Sequence, residues 1–451
     1  MNTYSTQVCC VGLGPAGIGA AYTLSKSHLA HHTLCLEAGV SVDNRSCQIL
    51  QGGVCRLENP CQMISGIGGC SVMASGKISG YPAGSGLASI LGSACLAEEK
   101  LEEAFKILAH FLSIRKNGLK DSSVLAKCKF GKMGFEYRYY PVYTYNTVDL
   151  ARAYKMLLSQ IRSKGVQVLL DTKVTDVNIE KGHFKVTAVH DNQKIVILTN
   201  HLILAVGRSG QNLLKSLNSR INVTRRQYHL DVGVRLEFPS VLYPDIDKYH
   251  KDLKLLFDDA RTFCVCKDGK IAPYKYEDLF LLEGYYNPAH KTGFTNLAII
   301  VRTPLSWKNE ILFSEIKRRI LRISAGKPVR QMLPEYLGYK SESVFSASSI
   351  SFWQWGDVNK CFPTVISKKI RAAVNHFVSN LLPRDQWWKV SVFAPEIDCR
   401  LKFPIKSDFS TIPRLYLVGD CTGRFRGILQ AFCSGVICAE NIIRGDSCEE
   451  K

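Results

Sequence analysis

Gly12, Gly14 and Gly17 form a GxGxxG run, and Glu37 stands 20 residues beyond the last of them, at the end of the apolar stretch 33–36. Each residue type suits one task. A glycine at 12 permits a tight turn after the short apolar strand expected at 8–11. One at 14 lets the backbone approach a pyrophosphate, and one at 17 lets a helix opening at Pro15 and Ala16 pack on that strand. The start of such a helix offers free N–H groups and the positive end of its dipole to an anion. Glu37, with Ala38 after it, lies at about the separation at which an acid meets ribose hydroxyls. A lone GxGxxG is as often a plain turn; strand, helix and terminal acid together point to a bound dinucleotide.

Two further stretches carry chemistry of the same kind. Between 55 and 80, Gly66, Gly68, Gly69, Gly76 and Gly80 are too dense for a helix or strand. Apolar Met63, Ile64, Ile67, Val72 and Met73 are interleaved with them. This pattern predicts a packed loop lying against a cofactor, with Gly68, Gly69, Ser75, Gly76 and Lys77 at the contact. A buried strand over 201–205 runs into AVGRSG, which includes Ala205 and Gly207. Another, over 414–418, ends at Gly419 and Asp420, and small residues then recur four apart at Gly427, Ala431 and Gly435, so that one helix face can approach another backbone.

The thiols and imidazoles point less sharply. Of 17 cysteines, many sit in apolar stretches, such as Cys9, Cys35 and Cys438, and are expected to be buried and reduced. Cys55 and Cys61 follow a double glycine much as in disulfide reductases, but one residue too far apart. Cys264 and Cys266 read as strand residues facing alike. His229, His250, His290 and His376 fall in or near the middle of the chain, and no general base can be named among them, so the catalytic residues stay unknown. No metal site is expected.

The elements that must position these residues follow from periodicity. Helices are expected over 93–112 and 148–163, strands over 166–170, 173–179, 183–189, 194–198 and 201–205. Beyond 210 the dinucleotide features stop. Strands at 232–236, 261–265 and 297–301 and helices at 307–323 and 366–381 suggest a second unit. The expected organisation is α/β: a discontinuous Rossmann-like domain from 1–210 and 394–451, with an inserted α+β domain at 211–393.

The 451 residues are 46% hydrophobic and 22% charged, ordinary for a globular chain, and 58 basic against 39 acidic side chains give +19. Such a surface attracts polyanions without selecting among them. The most apolar run, 196–206, is broken by Asn200 and His201 and is shorter than the roughly 18 residues of a membrane span. The chain enters its first strand at once, so a cytoplasmic location is expected. Oligomeric state is not legible.

GLGPAG with Glu37, AVGRSG and LVGD, in that order, resemble the flavoprotein superfamily with a discontinuous FAD domain. More narrowly, SGIGGCSVMASGK, VGVRLEFPS and RTFCVCKDGKI make the chain similar to poorly characterised bacterial FAD-dependent dehydrogenases. The resemblance implies FAD, with Gly12, Gly14 and Gly17 at the pyrophosphate, Glu37 at the adenosine ribose and Val174 meeting adenine through its backbone. It places Asp420 at the ribityl or pyrophosphate region and Gly427 and Ile428 at the flavin's pyrimidine edge. Two departures stand out: Ser75 where that family has an acid before Gly-Lys, and Cys421, Thr422 and Gly423 where it is richer in glycine. The implied activity is hydride transfer between flavin and a small organic substrate. With no second strand-GxGxxG unit, NADH or NADPH would serve only as a transient reductant. Nucleic-acid (tRNA-like) binding, thiol-disulfide exchange and a catalytically idle interaction protein are the alternatives. Replacing Glu37 by alanine is expected to weaken FAD binding and largely spare the fold.

Overall fold

The computed structural model describes residues 2–74, 76–112, 123–180, 182–221, 227–340 and 345–449. The chain opens with strand β1 (Asn2–Val11), helix α1 (Pro15–Leu24) and strand β2 (Thr33–Leu36). β1 and β2 run parallel from Val8↔Thr33 to Val11↔Leu36. The last four residues of β1 and all of β2 are buried, as apolar parallel strands covered on both faces should be. Pro15 occupies the first turn of α1, where a missing N–H costs nothing. Every α1 side chain from Ala16 to Leu24 except Thr23 is buried, so the helix is an inner layer.

β3 (Gln193–Leu204) lies on the other side of β1, parallel to it from Asn2↔Ile195 to Val11↔Leu204. It replaces the two strands expected at 194–198 and 201–205. Asn200 and His201 do not break it: Asn200 points to solvent, and the buried His201 sets its Nδ1 3.3 Å from the Tyr416 hydroxyl. Strands Thr172–Glu180 and His183–His190 add an antiparallel meander on β3, and helix Gln211–Ile221 packs Leu214 and Leu217 into the same core.

A second, largely antiparallel sheet is centred on β4 (Tyr228–Pro239), flanked by β6 (Phe294–Arg302) and β7 (Ser391–Leu401), with β5 (Ala260–Cys266) outside β6. Helices Lys308–Ser324 and Thr364–Leu381 cover it with Phe313, Ile316, Ile320, Ile370, Val374 and Phe377. Helix Gln211–Ile221 belongs to the first core, β7 carries the second sheet to Leu401, and Glu136–Tyr137 supplies its far edge. Sequence reading missed β7 because Pro395, Glu396, Asp398 and Arg400 interrupt its apolar pattern, although Glu396 and Arg400 are buried. It also missed the hairpin Lys270–Tyr276 and Leu279–Tyr285, which carries Pro273 inside a strand and turns at Glu277 with φ +52° and no glycine.

The chain then returns to the first sheet. β8 (Leu415–Leu417) pairs with β3 in parallel, and α2 (Ile428–Glu449) lies across α1. Of the three small residues spaced four apart, Gly435 makes the close approach: a Cβ there would stand 1.9 Å from the Ala16 carbonyl oxygen. Among the described residues, no helix is long and apolar enough to cross a membrane.

Candidate functional site

Between the carboxyl ends of β1, β2 and β3 and the second sheet lies one cavity of about 2590 Å³. Small-molecule sites commonly occupy about 300–1,000 Å³, so this one has room for a dinucleotide and a second molecule. Gly12, Gly14, Pro15 and Ala16 line it where β1 gives way to α1, with Glu37 and Ala38 after β2. Gly69 and Lys77 from the glycine loop, Val174, and Ala205 and Gly207 after β3 also face it. Asp420, Gly427 and Ile428 close it from the C-terminal segment. Gly17, Gly68, Gly76 and Gly419 do not line the cavity; Ser75 lies outside the described residues.

The glycines divide by what surrounds them. A Cβ at Gly17 would stand 1.8 Å from the Gly12 carbonyl oxygen, and one at Gly12, whose φ is +94°, 2.6 Å from that of Ala205. Gly68, Gly76 and Gly419 would strike Val72 and Tyr154, Tyr286 and Ala16 respectively. These five are small because protein is in the way. Gly14 differs: its φ is −68°, and a Cβ would meet nothing nearer than 3.9 Å. Its missing side chain leaves open a cradle that the protein does not fill, which suits a pyrophosphate at the start of α1.

Glu37 is buried and works harder inside the protein than its sequence suggests. Its carboxylate accepts N–H bonds from Leu13 at 2.6 Å, Gly39 at 2.9 Å and Gly66 at 2.8 Å, tying together the GxG turn, its own strand end and the glycine loop. Two oxygens offer about four acceptor positions, so one remains for a ligand hydroxyl. This arrangement argues against the expectation that its removal largely spares the fold: three buried amides would lose their acceptor. Arg45, which sequence reading did not single out, holds the same loop by donating to the carbonyls of Ile67, Gly69 and Gln62. Burial lowers its guanidinium to about 10, opposed by nearby Glu37.

Asp420 belongs to an ion-pair network. Arg208, from the AVGRSG turn, lies 3.3 Å from Asp420 and 3.2 Å from Glu283, and donates to the Tyr274 hydroxyl at 2.6 Å. Arg400 approaches Asp420 at 2.8 Å and also binds Asp398, which Arg426 meets at 2.9 Å. Burial favours a neutral Asp420, but Arg400 and Arg208 overcome it and keep the carboxyl ionised. Lys77 lines the cavity with its charge engaged, its ammonium bonding the Val265 carbonyl and approaching Asp252 at 3.4 Å. Arg208, Glu283, Arg400 and Arg426 were not anticipated. They come from four separate segments, and only the Arg inside AVGRSG carried a local signal.

Cys264 and Cys266 bring their sulfurs within 3.8 Å, but through a bulge with Cys264 at φ +48°, not as alternate residues of a regular strand. Cys55 and Cys61 are free thiols, as are the fully buried Cys9, Cys35 and Cys438. Of the four histidines, His229 alone lines the cavity. His250 is held by the Tyr140 carbonyl and the Asp252 amide, His376 stacks on Phe257, and His290 is exposed. His229, Asp231 and Asp398 place ligand-type atoms within 4.8 Å of one another. Arg261 and Arg302 already bind Asp231, and Arg400 and Arg426 bind Asp398, which opposes a further cation there.

No family model matches this chain, and no curated protein matches it. Among solved structures it is similar to a geranylgeranyl bacteriochlorophyll reductase-like protein from Thermoplasma acidophilum, with 12% identity and a TM-score of 0.46 over 100% of this chain and 80% of the other. It is also similar to a flavoprotein/dehydrogenase from Cytophaga hutchinsonii, with 11% identity and a TM-score of 0.43 over 98% and 79%. A p-nitrophenol 4-monooxygenase from Pseudomonas putida shares 13% identity and a TM-score of 0.40 over 98% and 79%. At these identities the likeness concerns the fold alone.

Proposed function

We propose that the protein is an FAD-dependent oxidoreductase whose small organic substrate binds between the cofactor and the second sheet. The observation that carries this reading is the cavity that joins an open Gly14 cradle and the buried Glu37 to a charged wall of the second sheet. The backbone from Gly12 to Ala16 and the start of α1 would receive the diphosphate, and the remaining acceptor position of Glu37 a ribose hydroxyl. Val174 would meet adenine through its backbone, and Asp420, kept ionised by Arg400 and Arg208, would accept a hydroxyl of the ribityl chain. The N–H groups at Gly427 and Ile428 would face the pyrimidine edge, where a helix start favours negative charge. FAD so held supplies hydride transfer. NADH or NADPH would enter the substrate space only as a visiting reductant. In this reading the nucleotide unit is built from the first sheet and the C-terminal return, and the second sheet covers the substrate.

Purified protein should be yellow and should release FAD, not FMN, on denaturation, because the remaining acceptor position of Glu37 and the backbone at Val174 would meet only an adenosine half. Colourless protein that takes up no FAD on incubation would refute the assignment.

A further inference from the structure

We infer that the ligand seated against the second sheet is a small polyanion, a molecule with at least two carboxylate or phosphate groups. Its being the substrate rests on the function proposed above; its binding does not. Register brings the site together. β4 pairs Asp231 with Arg302 of β6 and with Asp398 of β7, and Arg261 of β5 reaches Asp231 across β6. Lys254 precedes the strand Leu255–Phe257 beside β5, Lys402 follows β7, and Arg424 precedes α2. All seven of these residues line the cavity.

The two aspartates of this register are already taken. Asp231 binds Arg261, Arg302 and His229, while Asp398 binds Arg400 and Arg426. Among the described residues, no carboxylate pairs with the Lys254 ammonium, the Lys402 ammonium or the Arg424 guanidinium, and the buried Nε of Arg424 has no acceptor.

These cations, which have no carboxylate partner although Lys254 lies 5.5 Å from the centre of the Phe263 ring, form two centres. Burial, then Arg261 and Arg426, push Lys254 down to about 7, against the opposing pull of Asp252 and Asp231. Burial, then Arg424 and Arg302, lower Lys402, opposed by Asp398. Cations held against their own repulsion in a cavity are stabilised by an anion, and two such centres call for two anionic groups on one molecule. The nucleotide diphosphate does not meet this demand, because its cradle at Gly14 to Ala16 belongs to α1.

The test uses full-length protein saturated with FAD and titrated calorimetrically with citrate, pyrophosphate, acetate and tRNA. Citrate or pyrophosphate should bind and acetate should bind at least about tenfold more weakly; the better of the two polyanions identifies carboxylate or phosphate as the partner. Lys402→Gln and Lys254→Met should each weaken the polyanion by about tenfold or more, the effect of losing one charged hydrogen bond. In the parent, affinity should fall as pH rises through 7, where Lys254 loses its proton facing Arg261, Arg426, Asp252 and Asp231. That slope should vanish in Lys254→Met, giving a readout in the parent even if a variant folds poorly. Equal affinities in parent and variants, no binding of either polyanion, or binding of tRNA alone would overturn the inference. If FAD fails to bind while citrate or pyrophosphate still binds through Lys402, the anion site stands and the flavoenzyme reading falls.

Discussion

The two ends of the cavity are built from different materials. The end at β1, α1 and β2 uses backbone: glycines, amides, a helix start and one carboxylate that spends most of its acceptors on the protein itself. The end at the second sheet uses side chains, arginines and aspartates brought from β4, β5, β6 and β7 into interlocking pairs. A backbone site selects by shape and close approach, so its residues matter for what they leave out. A side-chain site selects by charge, so its residues matter for which neighbour neutralises them. The first tolerates little change of volume and the second little change of charge.

Gly17→Ala and Gly14→Ala break this comparison most sharply. A Cβ 1.8 Å from the Gly12 carbonyl forces backbone apart, so Gly17→Ala should cost about 3 kcal/mol or more and yield little folded protein. Gly14→Ala should keep the melting temperature of the FAD-free parent and lose FAD. Melting curves with bound-flavin absorbance check both, and a Gly14→Ala protein that stays yellow would remove the cradle from the nucleotide site.

Acid should dismantle the side-chain end first. Although burial favours their neutral forms, Asp252 is held at about 2 by Lys77 and His250, Asp231 still lower by His229 and Arg261, and Asp398 by Arg400 and Arg426. Each carboxyl lies below its unfolded value of about 3.9, so its contribution is complete above that pH and lost as pH falls towards its folded value. For Asp252 this amounts to about 2.6 kcal/mol, with Asp231 and Asp398 adding to it. Urea unfolding from pH 6 to pH 3 should show the loss, and Asp252→Asn should reduce it by the Asp252 share.

Glu37→Ala should destabilise by about 1–3 kcal/mol for each amide left unpaired, and Glu37→Gln by less, since one acceptor stays. Equal urea midpoints for parent and Glu37→Ala would contradict the three-amide arrangement. The smallest effect belongs to Lys254. Its folded value of about 7 lies below the usual 10.4, so the unfolded chain binds the extra proton between them and stability should rise with pH across that window. Screening at this half-buried group limits the rise to about 1–2 kcal/mol, which Lys254→Met should abolish.

The turn from β1 into α1 was legible because its requirement is local. Gly12, Gly14, Gly17 and Pro15 stand within six residues, and backbone geometry there depends on residues adjacent in the chain. Helices such as Thr147–Ser163 and Thr364–Leu381 were legible for the same reason, each carrying its apolar face at its own period. By itself, then, the sequence determined the glycine turn between β1 and α1, the helices of strong apolar periodicity, and the strand leading into a helix at the C-terminal GD stretch, while helices Ser123–Gly131 and Gln211–Ile221 went unmarked.

The tertiary structure decided the rest. β7 was hidden because its charged residues, which look like loop, are buried only where Arg235 of β4 meets Glu396 at 3.0 Å and Arg426 meets Asp398 at 2.9 Å. Glu37 looked free for a ligand because nothing in the chain shows Gly66 donating to it from 29 positions away. Nor does the chain show that Lys254, Lys402 and Arg424 face one cavity while the nearest aspartates are occupied. Periodicity reports a residue's own environment, whereas an ion pair depends on strand register, and register is set only when the whole sheet has formed.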